Sequence, residues 1–147
     1  MLVVMKNRNL PRDDNWITPE WFYKTLNDEF NFDFDPCPYH TGVIKWNQDG
    51  LLIDWGNRNY INPPYSRSLK EAFVTRSVGM SKKGKLCVLL LPVSTSTALF
   101  HDVIKPNAKE IRFIKGRIKF QKKDENGTLY TPKNGGMHDS MIVIFNH

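Results

Sequence analysis

Apolar residues at helical spacing predict three helices along the chain. Every fourth residue from Phe22 to Phe30 is apolar, so residues 19–30 are expected to form a helix with one apolar face. Thr18 and Pro19 are typical of a helix start, as the N-cap and the first helical residue. Two further helices are expected, one opened by the capping box Ser68–Glu71 and one over residues 96–105.

Shorter apolar or alternating stretches predict strands. The run Val88–Leu91 is apolar on both faces, which suits a strand buried between helices in a parallel sheet. The other predicted strands are Phe32–Asp35, Arg58–Asn62, the segment with Ile111 and Phe113, and Met141–Phe145. Because strands alternate with helices, we expect a single Rossmann-like α/β domain over residues 1–147, with a mostly parallel sheet flanked by helices. A ligand should bind beyond the carboxyl ends of its strands.

Length and composition fit one folded domain. Of the 147 residues, 40% are hydrophobic and 24% are charged, which excludes a disordered or collagen-like chain. No apolar run reaches the roughly 20 residues that span a bilayer, and the apolar start of the chain is too short for a signal peptide. Cys37 and Cys87 fit a reducing compartment as free thiols. We therefore expect a cytoplasmic protein.

Positive charge favours a polyanionic partner. The net charge is +6, and five lysines or arginines lie between residues 115 and 123. We expect residues 121–138 to form a mobile loop that faces a nucleic acid, and residues 1–14 to form a flexible arm. A solvated basic surface is the alternative interpretation. The predicted nucleic-acid contacts are Arg67, Arg117, Lys119, Lys122 and Lys123.

The motif with the most specific chemistry is Asn62-Pro-Pro-Tyr65, at the end of a predicted strand. Consecutive prolines hold φ at about −65° and supply no N–H, and a residue before proline is kept out of the helical region. Asn62 is therefore held extended at the strand tip. Its side-chain oxygen and the carbonyl of Pro63 can then converge on one point beside the ring of Tyr65.

Two acceptors beside an aromatic ring suit a planar amino group such as that of adenine. The lone pair of that nitrogen is delocalised into the ring, which makes it a poor nucleophile. Accepting both of its hydrogens favours a pyramidal nitrogen that can attack a methyl carbon on a sulfonium. This chemistry needs positioning and electrostatics, without a metal or a covalent enzyme intermediate. The alternative interpretation of the motif is a rigid surface turn.

Asn62–Tyr65 resembles motif IV of the amino-group methyltransferases that use S-adenosylmethionine. Further short motifs extend the resemblance in chain order. They are Trp16–Pro19, Phe32–Cys37, Asp49–Leu51 with Asp54 and Trp55, Leu90–Pro92 with Thr95 and Thr97, Gly116–Phe120 and the closing apolar strand. Together they cover residues 15–146 and are similar to the small phage-type DNA N6-adenine methyltransferases of the Dam family. The resemblance implies a phage or prophage origin and methylation that shields DNA from restriction.

The resemblance also implies roles for individual residues. Asn62 and Pro63 would accept hydrogen bonds from the adenine N6 amino group, Pro64 completes the catalytic motif, and Tyr65 would stack on the base. The implied cofactor residues are Trp16, Thr18, Asp35 and Pro36, with Thr18 and Asp35 near the methionine end, and Asp49 and Asp54 near the ribose or adenine end. The substrate would be double-stranded DNA with its target base flipped out.

One departure from the wider class keeps other functions open. The first-strand turn of such enzymes is usually rich in glycine, whereas here it is Asp35–Pro38. The alternatives are methylation of cytosine N4, an RNA base or a protein glutamine, and a non-catalytic DNA-binding protein on a decayed methyltransferase scaffold. Cys37 and His40 are close, but the other cysteine and histidines lack ligand spacing, so we expect no metal site.

Overall fold

The structure, a computed structural model, describes residues 6–9 and 14–147. The strands are β1 (Arg8–Asn9), β2 (Val43–Ile44), β3 (Arg58–Ile61), β4 (Leu86–Pro92), β5 (Glu110–Phe113), β6 (Lys122–Lys123), β7 (Leu129–Tyr130) and β8 (Ser140–Phe145). The α-helices are α1 (Glu20–Phe30), α2 (Arg67–Lys82) and α3 (Lys105–Asn107), the last preceded by a π-helical segment, Leu99–Ile104. The central sheet contains β3, β4, β8 and β5, in that order.

The central sheet mixes strand directions. β3 and β4 are parallel, whereas β8 is antiparallel to both β4 and β5. The predicted Rossmann-like domain with a mostly parallel sheet flanked by helices is therefore wrong. An apolar run buried on both faces does not encode strand direction, and β8 starts at the edge of the sheet where its neighbour β5 ends, as antiparallel strands do.

β4 separates two hydrophobic clusters, as its uniformly apolar sequence predicts. Leu86, Val88 and Leu90 belong to one cluster, together with the buried face of α1. The alternate residues of β4 belong to the other cluster, together with α2 and β8. Because each fully buried large aliphatic side chain contributes about 1.5–3 kcal/mol, β4 anchors the sheet from both sides.

The first predicted helix is confirmed as α1, but its capping is not. Pro19 occupies the N-cap position without a side-chain hydrogen bond. The Thr18 hydroxyl is bonded to the Tyr60 hydroxyl instead. The predicted strand Phe32–Asp35 is reduced to one parallel bridge, between Phe34 and Asn59.

The second predicted helix is confirmed as α2, but the capping box Ser68–Glu71 is wrong. The helix begins at Arg67, so Ser66 is the N-cap. Asp14 holds this end, because its carboxylate accepts the backbone N–H and the hydroxyl of Ser66. Glu71 pairs with Arg67 at 3.1 Å instead of reaching back to the cap.

The remaining sequence predictions give a mixed result. The strands predicted around residues 58–62, 88–91, 111–113 and 141–145 are confirmed as β3, β4, β5 and β8. The helix predicted over residues 96–105 is mainly the π-helical segment Leu99–Ile104. The predicted arm, residues 1–14, falls largely on residues 1–5 and 10–13, outside those described; within it, β1 pairs with β2. The predicted loop 121–138 contains the hairpin of β6 and β7, and its mobility stays a prediction.

Among the described residues, no helix is both long and apolar enough to cross a membrane.

Gly50 permits a close approach between two loops. A Cβ atom there would lie 1.9 Å from the carbonyl oxygen of Pro36 and 2.7 Å from its carbonyl carbon. Backbone atoms cannot yield as a flexible side chain can, so no larger residue fits without moving a loop. Gly50 therefore sets the distance between its own loop and the glycine-free turn Asp35–Pro38.

Gly50→Ala is expected to destabilise the protein by about 1–3 kcal/mol, because the new methyl group overlaps the Pro36 backbone. Gly79→Ala is the matched control, since an added Cβ on this exposed residue of α2 meets nothing within 4 Å. It should stabilise by about 0.5–1 kcal/mol through helix propensity. Urea denaturation measures both free energies of unfolding. Equal stabilities for the two variants would contradict the close approach at Gly50.

Candidate active site

A cavity of about 190 Å³ lies at the carboxyl end of β3. Its lining includes four residues singled out from the sequence, Trp16, Thr18, Asp35 and Asn62. The chain positions them from three directions: the segment before α1, the extended segment beside β3, and the loop after β3. The rule that ligands bind beyond strand ends therefore points to the same place as this cavity.

The Asn62 side chain faces inward and is held in one orientation. The residue is only 7% exposed, and its Nδ2 donates to the Trp16 carbonyl oxygen at 2.9 Å. Its Oδ1 is buried and has no hydrogen-bond partner among the described residues. A buried acceptor without a donor is unfavourable, so Asn62 Oδ1 keeps an unused capacity to accept a hydrogen bond.

Tyr65 is fixed at the other end of the motif by backbone and ring contacts. Its N–H donates to the Asp14 carbonyl oxygen at 3.0 Å. Its ring stacks on Trp16, with centroids 5.8 Å apart and planes 26° apart, and meets Phe120 and His138 edge-on. Burial raises the pKa of the Tyr65 phenol, so the hydroxyl stays neutral. Pro63 and Pro64 between them are both buried, which makes the corner rigid.

Asp35 places a titratable carboxyl group at the cavity. Its Oδ1 accepts the backbone N–H of Cys37 at 2.9 Å. Burial raises the pKa of this carboxyl to about 7, against the opposing effect of the Cys37 hydrogen bond. Asp35 therefore changes charge near neutral pH, when an ordinary aspartate is already ionised.

Cys37 links the Asp35–Pro38 turn to the asparagine motif. Its thiol donates to the backbone carbonyl of Asn62 at 3.3 Å, and burial raises its pKa well above the ordinary value. A neutral thiol in this position acts as a hydrogen-bond donor rather than as a nucleophile. Cys37 also lines a second cavity, of about 170 Å³, together with Arg8, Gly50 and Pro64.

Comparison with models of protein families identifies the family of this chain. The model of the DNA N-6-adenine-methyltransferase (Dam) family matches residues 6–147, nearly the whole chain. The chain belongs to the Dam family. The resemblance noted in the sequence is thereby confirmed at the level of the family. No curated protein and no solved structure matches the chain.

Arg8 is a residue of this Dam-family chain that sequence reasoning missed. Its guanidinium makes two bonds to the buried Asp49 carboxylate, Nε to Oδ2 at 2.8 Å and Nη2 to Oδ1 at 2.9 Å. Although burial acts to raise the pKa of Asp49, hydrogen bonds from Arg8 and the Leu51 N–H hold it below its ordinary value. The third nitrogen, Nη1, is buried without a partner among the described residues. Arg8 lies in the segment interpreted as an arm, so nothing in its local sequence marked it.

The structure does not bring Asp54 to the cavity. Asp54 precedes β3, and its exposed carboxylate pairs with Lys85 Nζ at 2.8 Å, just before β4. Because β3 and β4 are parallel, this pair lies at their amino ends. Asn62 follows the carboxyl end of β3, at the opposite edge of the sheet.

The predicted DNA contacts fall into two groups. Lys122 lies beside the candidate site, where its Nζ is 4.3 Å from the centroid of the Trp16 ring. The backbones of Gln121 and Ile17 exchange two hydrogen bonds at its side. Of the others, Lys119 and Lys123 are exposed, Arg117 pairs with Asp139 at 3.2 Å, and Arg67 lines a separate cavity of about 270 Å³ beyond β4.

Three tyrosines of the cavity were also missed. Tyr23 is on α1, Tyr39 follows the Asp35–Pro38 turn, and Tyr60 is in β3. The signal for Tyr60 was its position two residues before Asn62, since alternate residues of a strand share a face. Within the described part of the chain, no group of three or more histidine, cysteine, aspartate or glutamate side chains could hold a metal ion.

Proposed function

We propose that this Dam-family protein transfers a methyl group from S-adenosylmethionine to the N6 amino group of adenine in double-stranded DNA. The observation that carries the proposal is the Asn62 carboxamide, whose Nδ2 is bonded to Trp16 while its buried Oδ1 lacks a partner among the described residues. An acceptor held in this way, beside the ring of Tyr65, suits an aromatic amino group. Family membership supports DNA adenine as the substrate.

The residues of the motif would act by position and polarity. Asn62 Oδ1 and the Pro63 carbonyl each accept one hydrogen of the amino group, which concentrates its lone pair on nitrogen. Tyr65 holds the plane of the base by stacking. When bound, S-adenosylmethionine supplies a methyl group on a cationic sulfur. Preorganised acceptors of this kind need no rearrangement as positive charge develops on the nitrogen, which then releases one of its two original protons to water.

The residues around the cavities fit the charges of S-adenosylmethionine. The Asp35 carboxylate and the faces of neighbouring tyrosines suit a cationic group. Arg8 lines the adjoining cavity, and its Nη1 is buried without a hydrogen-bond partner among the described residues, which suits a carboxylate. Asp35 would therefore hold the positive end of the cofactor, and Arg8 would hold a negative or polar end.

Lys119 and Lys123 are expected to contribute to DNA affinity by neutralising phosphates. Replacing both with alanine should weaken binding uniformly across sequences and reduce the slope of log K against log salt by about 2. Lys82→Ala is the control, because this exposed lysine lies at the far end of α2 from the active-site motif. Fluorescence anisotropy over a range of salt concentrations measures the slope. A slope equal to that of the wild type would remove both lysines from the interface.

The proposed reaction is tested on unmethylated plasmid DNA. The protein is incubated with the plasmid and S-adenosylmethionine, and the nucleosides are separated by liquid chromatography with mass detection. We expect N6-methyldeoxyadenosine, and sequencing of modified positions would give the target site. N4-methylcytosine would assign the other amino target. Unmodified DNA, together with no heat of cofactor binding in calorimetry, would indicate a non-catalytic DNA-binding protein.

A further inference from the structure

We infer that Trp16 recognises the target base, its indole N–H donating to N1 of the flipped adenine while Asn62 accepts from the N6 amino group. The inference rests on the proposed function and specifies how the site reads its substrate. It assigns Trp16 to the base rather than to the cofactor.

The indole N–H of Trp16 is a buried donor in need of an acceptor. Trp16 is 7% exposed, and its Nε1 has no hydrogen-bond partner among the described residues. Trp16 lines the same cavity as Asn62. Native proteins rarely leave such groups unpaired, so an unpaired donor beside a cavity points to a ligand that supplies the acceptor.

The two unpaired atoms are complementary, and neither can change its role. An indole nitrogen can only donate. Asn62 Oδ1 can only accept, and the bond from Nδ2 to the Trp16 carbonyl keeps the carboxamide in that orientation. The two unpaired atoms are thus one donor and one acceptor, and they belong to two cavity-lining residues that are bonded to each other. The Watson–Crick edge of adenine offers the converse pair, an acceptor at N1 beside a donor at N6, and this edge becomes free when the base leaves the duplex.

Contacts to the indole ring hold its plane. Tyr65 stacks on the indole, and the ammonium of Lys122 lies over it. The next residue, Ile17, is paired through its backbone with Gln121. The plane of the ring is therefore held, which limits the directions in which the N–H at its edge can donate.

The test replaces single ring nitrogens of the target adenine with C–H groups. Duplex oligonucleotides that contain the methylated site carry adenine, 1-deazaadenine or 7-deazaadenine at the target position. For the wild type we expect kcat/KM to fall about 10- to 100-fold with 1-deazaadenine, which leaves the indole donor unpaired. With 7-deazaadenine, which keeps N1, it should change less than about threefold. This comparison needs no variant protein.

Trp16→Phe then separates recognition from packing, because phenylalanine keeps an aromatic ring and lacks the N–H. For each protein, kcat/KM with adenine is divided by kcat/KM with 1-deazaadenine. This quotient should be about 10-fold or more smaller for Trp16→Phe than for the wild type. The same ratio in both proteins, or a loss with 7-deazaadenine in place of 1-deazaadenine, would overturn the inference while leaving adenine methylation intact. Failure of the wild type to methylate the adenine duplex would instead overturn the proposed function and the inference together.

Discussion

Asn62→Ala is expected to lower kcat by about 10²–10³-fold, with little change in the affinity for S-adenosylmethionine. The substitution removes a preorganised acceptor, and loss of one such polar group typically has an effect of this size. Cofactor affinity should persist because Asp35 and Arg8 are unaltered. Single-turnover methylation of plasmid DNA measures the rate, and calorimetry measures the affinity.

Asn59→Ala is the matched control for this experiment. Asn59 is a fully buried asparagine in β3, three residues before Asn62, and its Nδ2 donates to the carbonyl oxygens of Gly56 and Leu86. Its loss should reduce stability by about 1–3 kcal/mol and leave kcat nearly unchanged at a temperature where the protein is folded. Normal turnover by Asn62→Ala, or an equal loss of turnover in both variants, would contradict the role of Asn62.

The layers of the fold could be predicted from the sequence, but the direction of its strands could not. The spacing of Phe22, Leu26 and Phe30 predicts the buried face of α1, and the apolar run of β4 predicts burial on both sides. These patterns report which side chains are buried. A strand that is covered on both faces is apolar throughout whichever way its neighbours run, so periodicity could not predict the antiparallel pairing of β8 with β4 and β5.

Part of the candidate site could likewise be predicted from the sequence, and part could not. The proline pair after Asn62 restricts the backbone locally, so its rigidity is readable from four consecutive residues. Asp35 could be singled out because it ends the alternating segment Phe32–Asp35, and its role was implied by the family resemblance. The bonds from Arg8 to Asp49 join residues 41 positions apart, and Asp14 reaches Ser66 across 52 positions. Such long-range pairs depend on the tertiary structure, so no local sequence pattern predicts them.

The charge of Asp35 is expected to make cofactor binding depend on pH. Burial raises the pKa of this carboxyl to about 7, so the group is mostly neutral at pH 6 and mostly ionised at pH 7.5. A cationic ligand prefers the ionised form. The affinity for S-adenosylmethionine should therefore rise roughly tenfold between these two pH values, in proportion to the ionised fraction.

Asp35→Asn is expected to remove this pH dependence and to weaken cofactor binding at pH 7.5 by about 10- to 100-fold, because a bond to a charged group is lost. The same variant should unfold less readily. The folded wild type keeps a proton on Asp35 up to pH of about 7, whereas the unfolded chain releases it near pH 4, so wild-type stability falls as the pH rises through this window. Asparagine carries no such charge.

The gain in stability at pH 8 should be on the order of 1–4 kcal/mol, measured by thermal or urea denaturation. Asp28→Asn is the control, since this exposed aspartate on α1 pairs only with Lys24 in the described structure and should alter neither property by more than about 0.5 kcal/mol. Weaker cofactor binding together with higher stability would show that the Asp35 carboxylate serves ligand binding rather than folding. An Asp35→Asn protein that is destabilised, or that binds S-adenosylmethionine with an unchanged pH profile, would refute the assignment of Asp35 to the cationic end of the cofactor.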